Sequence, residues 1–194
     1  MKRAFIIALQ EEVGAISQIN GDPILYCGVG KINATIGAMQ LVQDGYTHII
    51  NLGSCGSRQL KVGDIVQVGK AWQDIDCTPI CAYGHTAFEA DSESIVLNSQ
   101  SPYTCFSTDY FYELDHQDKY SPHYLQRIES SSVFDMELFG IAKVCKRFNV
   151  QLTAFKWISD DGNFSDWQQN CEAAFHKILP LLEDQKQLTN TYKL

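Results

Sequence analysis

Three apolar runs constrain this chain more than any other feature: AFIIAL at residues 4–9, THIINL at 47–52 and QLTAFKWIS at 151–159. In the first the apolar residues are continuous rather than helically spaced, as in a strand covered on both faces, and the second and third also read as strands. Between and after them, residues 31–46, 132–149 and 167–182 carry apolar positions at helical spacing. Helices interleaved with buried strands predict an α/β three-layer sandwich around a central twisted, mostly parallel or mixed sheet. With 194 residues, 45% of them apolar, and no internal repeat or low-complexity linker, a single domain over residues 1–194 is expected.

The other segments are read in chain order. A short strand is expected at 24–30, then a helix with Ile32, Ile36, Met39, Leu41 and Val42 as its apolar positions, ending near Gly45. Alternation at 64–69 predicts another strand. Periodicity weakens from 72 to 102, where 94–97 reads as a short helix or a short strand. Residues 105–107 read as a strand end that opens into a polar and aromatic loop. One helix is expected over 132–149, interrupted at Gly140, and a last one over 167–182, with Pro180 at its fraying end.

The formal charge of −8 disfavours nonspecific binding to nucleic acid or to an anionic membrane. No apolar run approaches the length of a membrane span, and the short run after Lys2 and Arg3 ends at Gln10-Glu11-Glu12 without a cleavage-like site. The seven cysteines are odd in number and have no CxxC spacing, so they read as free thiols in a reducing compartment. A cytoplasmic protein is expected. The five histidines have no metal-site spacing, and neither a metal nor a cofactor is expected.

In a sheet of this kind the C-terminal strand ends gather at one crevice, which points to residues 10–12, 53–57, 107–112 and 160–163. Glu12 and Asp160 each follow an apolar run and are far apart in sequence. Separated carboxylates suit cleavage of a glycosidic bond, where one group activates water and another assists the leaving group. Two helix-capping acids account for the same pattern. Glu137, between Met136 and Leu138, is costly to bury unless it is paired or bonded to ligand hydroxyls; otherwise it points outward. Gly28-Val29-Gly30 lacks the full glycine patterns of nucleotide loops and reads as a tight turn between strand and helix.

Seven segments, in order, resemble the purine nucleoside phosphorylase and uridine phosphorylase superfamily, and most of all its methylthioadenosine/S-adenosylhomocysteine nucleosidase branch. They are IIALQEEV at 6–13, GVGKINA at 28–34, INLGSCGS at 50–57, LKVGDIV at 60–66, STDYF at 107–111, DMELFGIAKVC at 135–145 and KWISD at 156–160. The resemblance implies a phosphorylase- and nucleosidase-like fold and hydrolysis of the N-ribosidic bond of a purine nucleoside in methionine salvage and nucleoside catabolism. On the matching residues, Glu12 would deprotonate the water and Asp160 would serve N7 of the departing purine. Glu137 would bind ribose hydroxyls, with Met136 against the sugar. Phe111 would stack on the base and the Tyr112 main chain would read its edge. Ser54 and Gly56 would flank the sugar and water, with Ser107 and Asp109 near the same pocket.

Water is favoured over phosphate because the GxPxR pattern of many phosphorylases is missing and arginines are few, only Arg3, Arg58, Arg127 and Arg147. A phosphate-dependent phosphorylase and an inactive nucleoside-binding homologue are the alternatives. Lys156 stands where the nucleosidase pattern usually has arginine. The segments 12–28 and 83–107 are shorter than usual for the family. The resemblance also implies a homodimer in which residues 72–83 reach a partner's pocket, with Trp72, Ile80 and Tyr83 as apolar contacts; their reading as core residues of the same chain stands beside it.

Overall fold

A computed structural model describes residues 1–90 and 93–182. The continuous apolar runs form the middle of one sheet. Strand β1 (Arg3–Ile7) pairs in parallel with β3 (Asp22–Tyr26) on one side and with β4 (His48–Gly56) on the other. A two-residue strand, β2 (Gln18–Ile19), extends that end antiparallel to β3. On its other edge β4 runs parallel to β10 (Gln151–Asp160), which also takes β5 (Ile65–Gln67) antiparallel.

The sheet continues from the far end of β4. Gly56 pairs antiparallel with Phe134 of β9 (Val133–Asp135). Beyond it lie β8 (Thr104–Ser107), β6 (Lys70–Gln73) and β7 (Ser94–Val96), the last antiparallel. One edge of β4 therefore changes partner, from β1 as far as Asn51 to β9 at Gly56. The gap between those partners opens the crevice.

Helices cover both faces. Phe5, Ile7, Ile50, Leu52, Phe155 and Trp157 pack with Phe175, Ile178 and Leu182 of the helical residues 175–182. On the opposite face Ala4, Ile6 and Ile49 meet α1 (Lys31–Gln43) and α3 (Leu138–Phe148). The three-layer α/β sandwich expected from the sequence is the one observed.

The inward side of α1 differs from expectation. Ala34, Gly37, Ala38 and Leu41 are buried, whereas Ile32 and Ile36 are 76% and 62% exposed. Small residues face inward because α1 and α3 approach closely: a Cβ on Gly140 would lie 2.6 Å from the Lys31 carbonyl. Gly140 is thus a packing point inside α3 and does not interrupt it. Residues 133–135, expected at the start of that helix, instead form β9, where Phe134 completes the sheet.

The region of weak periodicity holds β6 and β7, so 94–97 resolves to a strand. Helix α2 (Pro122–Ser130) is absent from the expected elements, although Ser121 caps the Tyr124 amide at 3.2 Å and Pro122 opens the first turn. The last helix begins earlier and is split. Asn163 caps α4 (Phe164–Asn170), residues 171–174 turn, and residues 175–182 are helical with Pro180 inside them. At the break the Cys171 carbonyl accepts the Trp157 indole N–H at 2.7 Å.

Candidate active site

A cavity of about 200 Å³ lies at the β1/β9 gap, among Glu12, Ser54, Gly56, Phe111, Tyr112, Met136, Glu137 and Asp160. Eight of the nine site residues expected from the sequence therefore come together. Ser107 does not line it. That residue is fully buried beneath, where its hydroxyl donates to Asp135 at 2.6 Å and accepts the Phe139 amide at 2.8 Å. The reason is its strand register: Ser107 pairs with Asp135 across β8 and β9, behind the cavity wall. Asp109 is also outside the cavity, in an ion pair with Lys31 at 3.0 Å.

Glu12 sits in a single 3₁₀ turn, Gln10–Glu12, directly after β1. Its Oε1 accepts both the Ser54 amide and the Ser54 hydroxyl at 2.7 Å, and its Oε2 accepts the Leu9 amide at 3.2 Å. The Ser54 amide is available because β1 has ended before that point on the β4 edge. Burial pushes the Glu12 carboxyl above its ordinary range, against the pull of Lys156 and the Ser54 hydrogen bonds.

Asp160 ends β10 just past a register shift: Ile158 pairs with Cys55 and Asp160 with Gly56, leaving Ser159 extra. Such a bulge re-aims the side chain that follows. Asp160 Oδ1 accepts the Gly162 amide at 2.9 Å, and Ser159 Oγ lies 2.8 Å from Oδ2. Burial raises this carboxyl too, opposed by the Gly162 and Ser159 hydrogen bonds. It therefore holds a proton to higher pH than an ordinary aspartate.

Glu137 is buried and turned inward. Its Oε1 accepts the Gly30 amide at 2.9 Å and its Oε2 the Met136 amide at 3.3 Å. The Gly28-Val29-Gly30 turn thus serves as a carboxylate clamp. Gly30, at φ 98°, occupies a backbone region that side chains resist. Burial first, then the neighbouring Asp135, push the Glu137 pKa up to about 7. A carboxyl raised in the folded state contributes stability that is complete below its unfolded value of 4.5 and is lost as pH rises through 7. Glu137→Gln is therefore expected to gain stability relative to the parent between pH 5 and 8, on the order of 1–3 kcal/mol. Melting temperatures of the two proteins across that range check the sign; a parallel dependence would remove Glu137 as its source.

Lys156 is fully buried, 2.8 Å from Asp135 Oδ2. Burial opposes its charge, but Asp135 and Glu137 outweigh that and hold it protonated. Asp135 is held below the usual carboxylate range: burial works against its charge, but Lys156, the Ser107 hydroxyl and the Leu138 amide prevail. A Cβ on Gly53 would lie 3.1 Å from Glu12 Oε1 and 3.4 Å from Lys156 Nζ. Glycine keeps the space between Glu12 and the protonated Lys156 open.

Sequence reasoning missed two cavity residues on α4, Phe164 and Trp167. Their rings stack at 5.6 Å, and both meet the Phe111 ring edge-on. The Asn163 cap followed by an aromatic pair three residues apart was the available signal. Within the chain, Arg127 lies over the Trp72 ring, and Tyr83 stacks on His123 and donates to Asp74. Ile80 is exposed.

The cavity gathers three buried carboxyls, Glu12, Glu137 and Asp160, whose pKa burial raises, beside the aromatic faces of Phe111, Phe164 and Trp167. Among the described residues no cluster of His, Cys, Asp or Glu could hold a metal ion. A family model for the phosphorylase superfamily matches residues 12–182. A 5′-methylthioadenosine/S-adenosylhomocysteine nucleosidase of Haemophilus influenzae is 30% identical, over 87% of this chain and 79% of that protein. A nucleosidase of the same description from Buchnera aphidicola is 29% identical, over 72% and 67%. The solved structure of the Helicobacter pylori nucleosidase superimposes with a TM-score of 0.81 at 17% identity, covering 96% of this chain and 98% of that one. The Helicobacter pylori futalosine hydrolase superimposes at 0.78 with 16% identity, covering 94% and 96%.

Proposed function

The chain belongs to the phosphorylase superfamily, and from that premise we propose that it hydrolyses the N-ribosidic bond of 5′-methylthioadenosine or S-adenosylhomocysteine. The observation that carries this reading is the meeting of Glu12, Glu137 and Asp160 around one cavity beside an aromatic platform. Glu12 takes a proton from water as the oxygen attacks C1′. The bond from C1′ to the purine nitrogen breaks, its electron pair leaves with the base, and Asp160 supplies a proton at N7. Glu137 accepts the ribose hydroxyls. Positive charge growing on the ribose is favoured by Glu137 and Glu12, so these groups bind the transition state better than the substrate. Phe111 carries the purine, with the Tyr112 main chain at its edge and Met136 beneath the sugar.

Water is the acceptor because a phosphate would need cations at the nucleophile's place. All four arginines lie elsewhere: Arg3 with Asp22, Arg58 with Glu129 and Asp161, Arg127 with Glu93 over the Trp72 ring, and Arg147 exposed in the last turn of α3. The test is product analysis with methylthioadenosine, adenosylhomocysteine, adenosine, inosine and a bulkier 5′-substituted inosine, with and without phosphate. Free base and free sugar, at a rate indifferent to phosphate, are expected. A ribose phosphate product overturns the water mechanism, and inertness towards the whole panel overturns the enzyme reading.

The protein acts as one domain and as a homodimer. Ile32 and Ile36 on α1, Ile80, and Phe88 at 97% exposure supply apolar surface for a second copy. The seven cysteines are free thiols, which fits a reducing cytoplasm.

A further inference from the structure

We propose that Trp167 is a positioning residue for Glu12, acting through the Ser54 hydroxyl; the proposal rests on Glu12 being the base that activates water. The Trp167 indole Nε1–H donates to Ser54 Oγ at 3.1 Å, and Ser54 Oγ donates to Glu12 Oε1 at 2.7 Å. An indole nitrogen only donates, and a serine hydroxyl has one proton. With one lone pair of Oγ occupied by the indole, the hydroxyl proton is committed to the carboxylate. The Ser54 amide fixes the same Oε1 at 2.7 Å, and the Leu9 amide holds Oε2. The carboxylate is therefore gripped in one orientation, with its ionised form favoured by a chain of donors that polarise one another.

The aromatic contacts of Trp167 do not account for this nitrogen. Stacking on Phe164 and the edge contact with Phe111 need only a ring. The indole N–H does something a phenylalanine cannot do. Its aim is set by α4, whose first turn is tied down by Asn163 accepting the Ser165 and Asp166 amides at 2.9 and 3.4 Å. A helix that follows the proton donor Asp160 in sequence thereby orients the base at the opposite end of the reaction.

The test is the pH profile of kcat/KM for methylthioadenosine hydrolysis by the full chain, for the parent and for Trp167→Phe, Ser54→Ala and the double variant. Trp167→Phe keeps the ring and loses the donor. It should lower kcat/KM about three- to tenfold and move the acidic limb up by about half a pH unit or more. In the Ser54→Ala background the same substitution should leave the limb where Ser54→Ala has put it, because the route to Glu12 is already cut. A folded Trp167→Phe protein with an unmoved limb overturns the proposal, as does an equal shift in both backgrounds. If Trp167→Phe is too unstable to titrate, Ser54→Ala decides alone: a limb at the parental position sinks the relay. Failure of the underlying reading is separable, since Glu12→Gln would then retain the parental rate.

Discussion

Glu12→Gln is expected to lower kcat for purine nucleoside hydrolysis by about 10²–10⁴-fold, the usual worth of a positioned general base, with little change in KM. The substitution is nearly isosteric, and the amide oxygen can still accept the two Ser54 donors that hold Oε1 at 2.7 Å. What disappears is the capacity to take a proton from water. The amide NH₂ must then face the Leu9 amide, which now donates to Oε2 at 3.2 Å, so a local adjustment of the turn accompanies the change. Parallel melting curves show that the fold survives. A rate within tenfold of the parent would remove Glu12 from the role of base.

Asp160→Asn should have a comparable effect on kcat, about 10²–10⁴-fold, for a different reason. The Asn side chain fits the same cradle. Its oxygen can accept the Gly162 amide, and its nitrogen can donate to Ser159 Oγ, whose own proton reaches the Cys55 carbonyl at 3.1 Å. Folding should therefore be preserved while the proton for the departing base is lost. A riboside with a leaving group that needs no protonation, such as 4-nitrophenoxide, distinguishes the two variants. Asp160→Asn should recover much of its rate on that substrate, and Glu12→Gln should not. Equal impairment of Asp160→Asn on both substrates would place its effect in geometry rather than in leaving-group protonation.

The parts of this site that were legible in the sequence are those written in unbroken apolar runs. β1, β4 and β10 announce themselves because strands covered on both faces carry apolar residues at consecutive positions, with only scattered polar ones such as Asn51 and Lys156. Glu12 and Asp160 inherit that clarity by standing at the ends of two such strands. The inner side of α1 was misread because large apolar residues were assumed to point inward, whereas small ones, Ala34, Gly37 and Ala38, face inward; Gly37 lies against Leu25, Cys27 and Ile6, and Gly140 of α3 lies against the Lys31 carbonyl. Ser107 was misplaced because strand register, invisible in a single sequence, turns it towards Asp135 and away from the cavity. Trp167 escaped notice for a related reason. Its partner Ser54 is 113 residues distant, and nothing local marks an indole as a hydrogen-bond donor to a remote strand.

The arrangement around Lys156 carries a further consequence. Among the described residues it is the only buried lysine or arginine, while Glu12, Asp135, Glu137 and Asp160 are all buried carboxyls. One of these is neutralised by direct pairing with Lys156. The remainder form a cage that is electrically incomplete at rest, relieved in part because burial raises the carboxyls of Glu12, Glu137 and Asp160 and makes them readier to hold protons. A neutral ligand does nothing to correct that imbalance. A ligand that becomes positive only while its bond is breaking does, and the pocket is thus matched in charge to a species that is never present in solution.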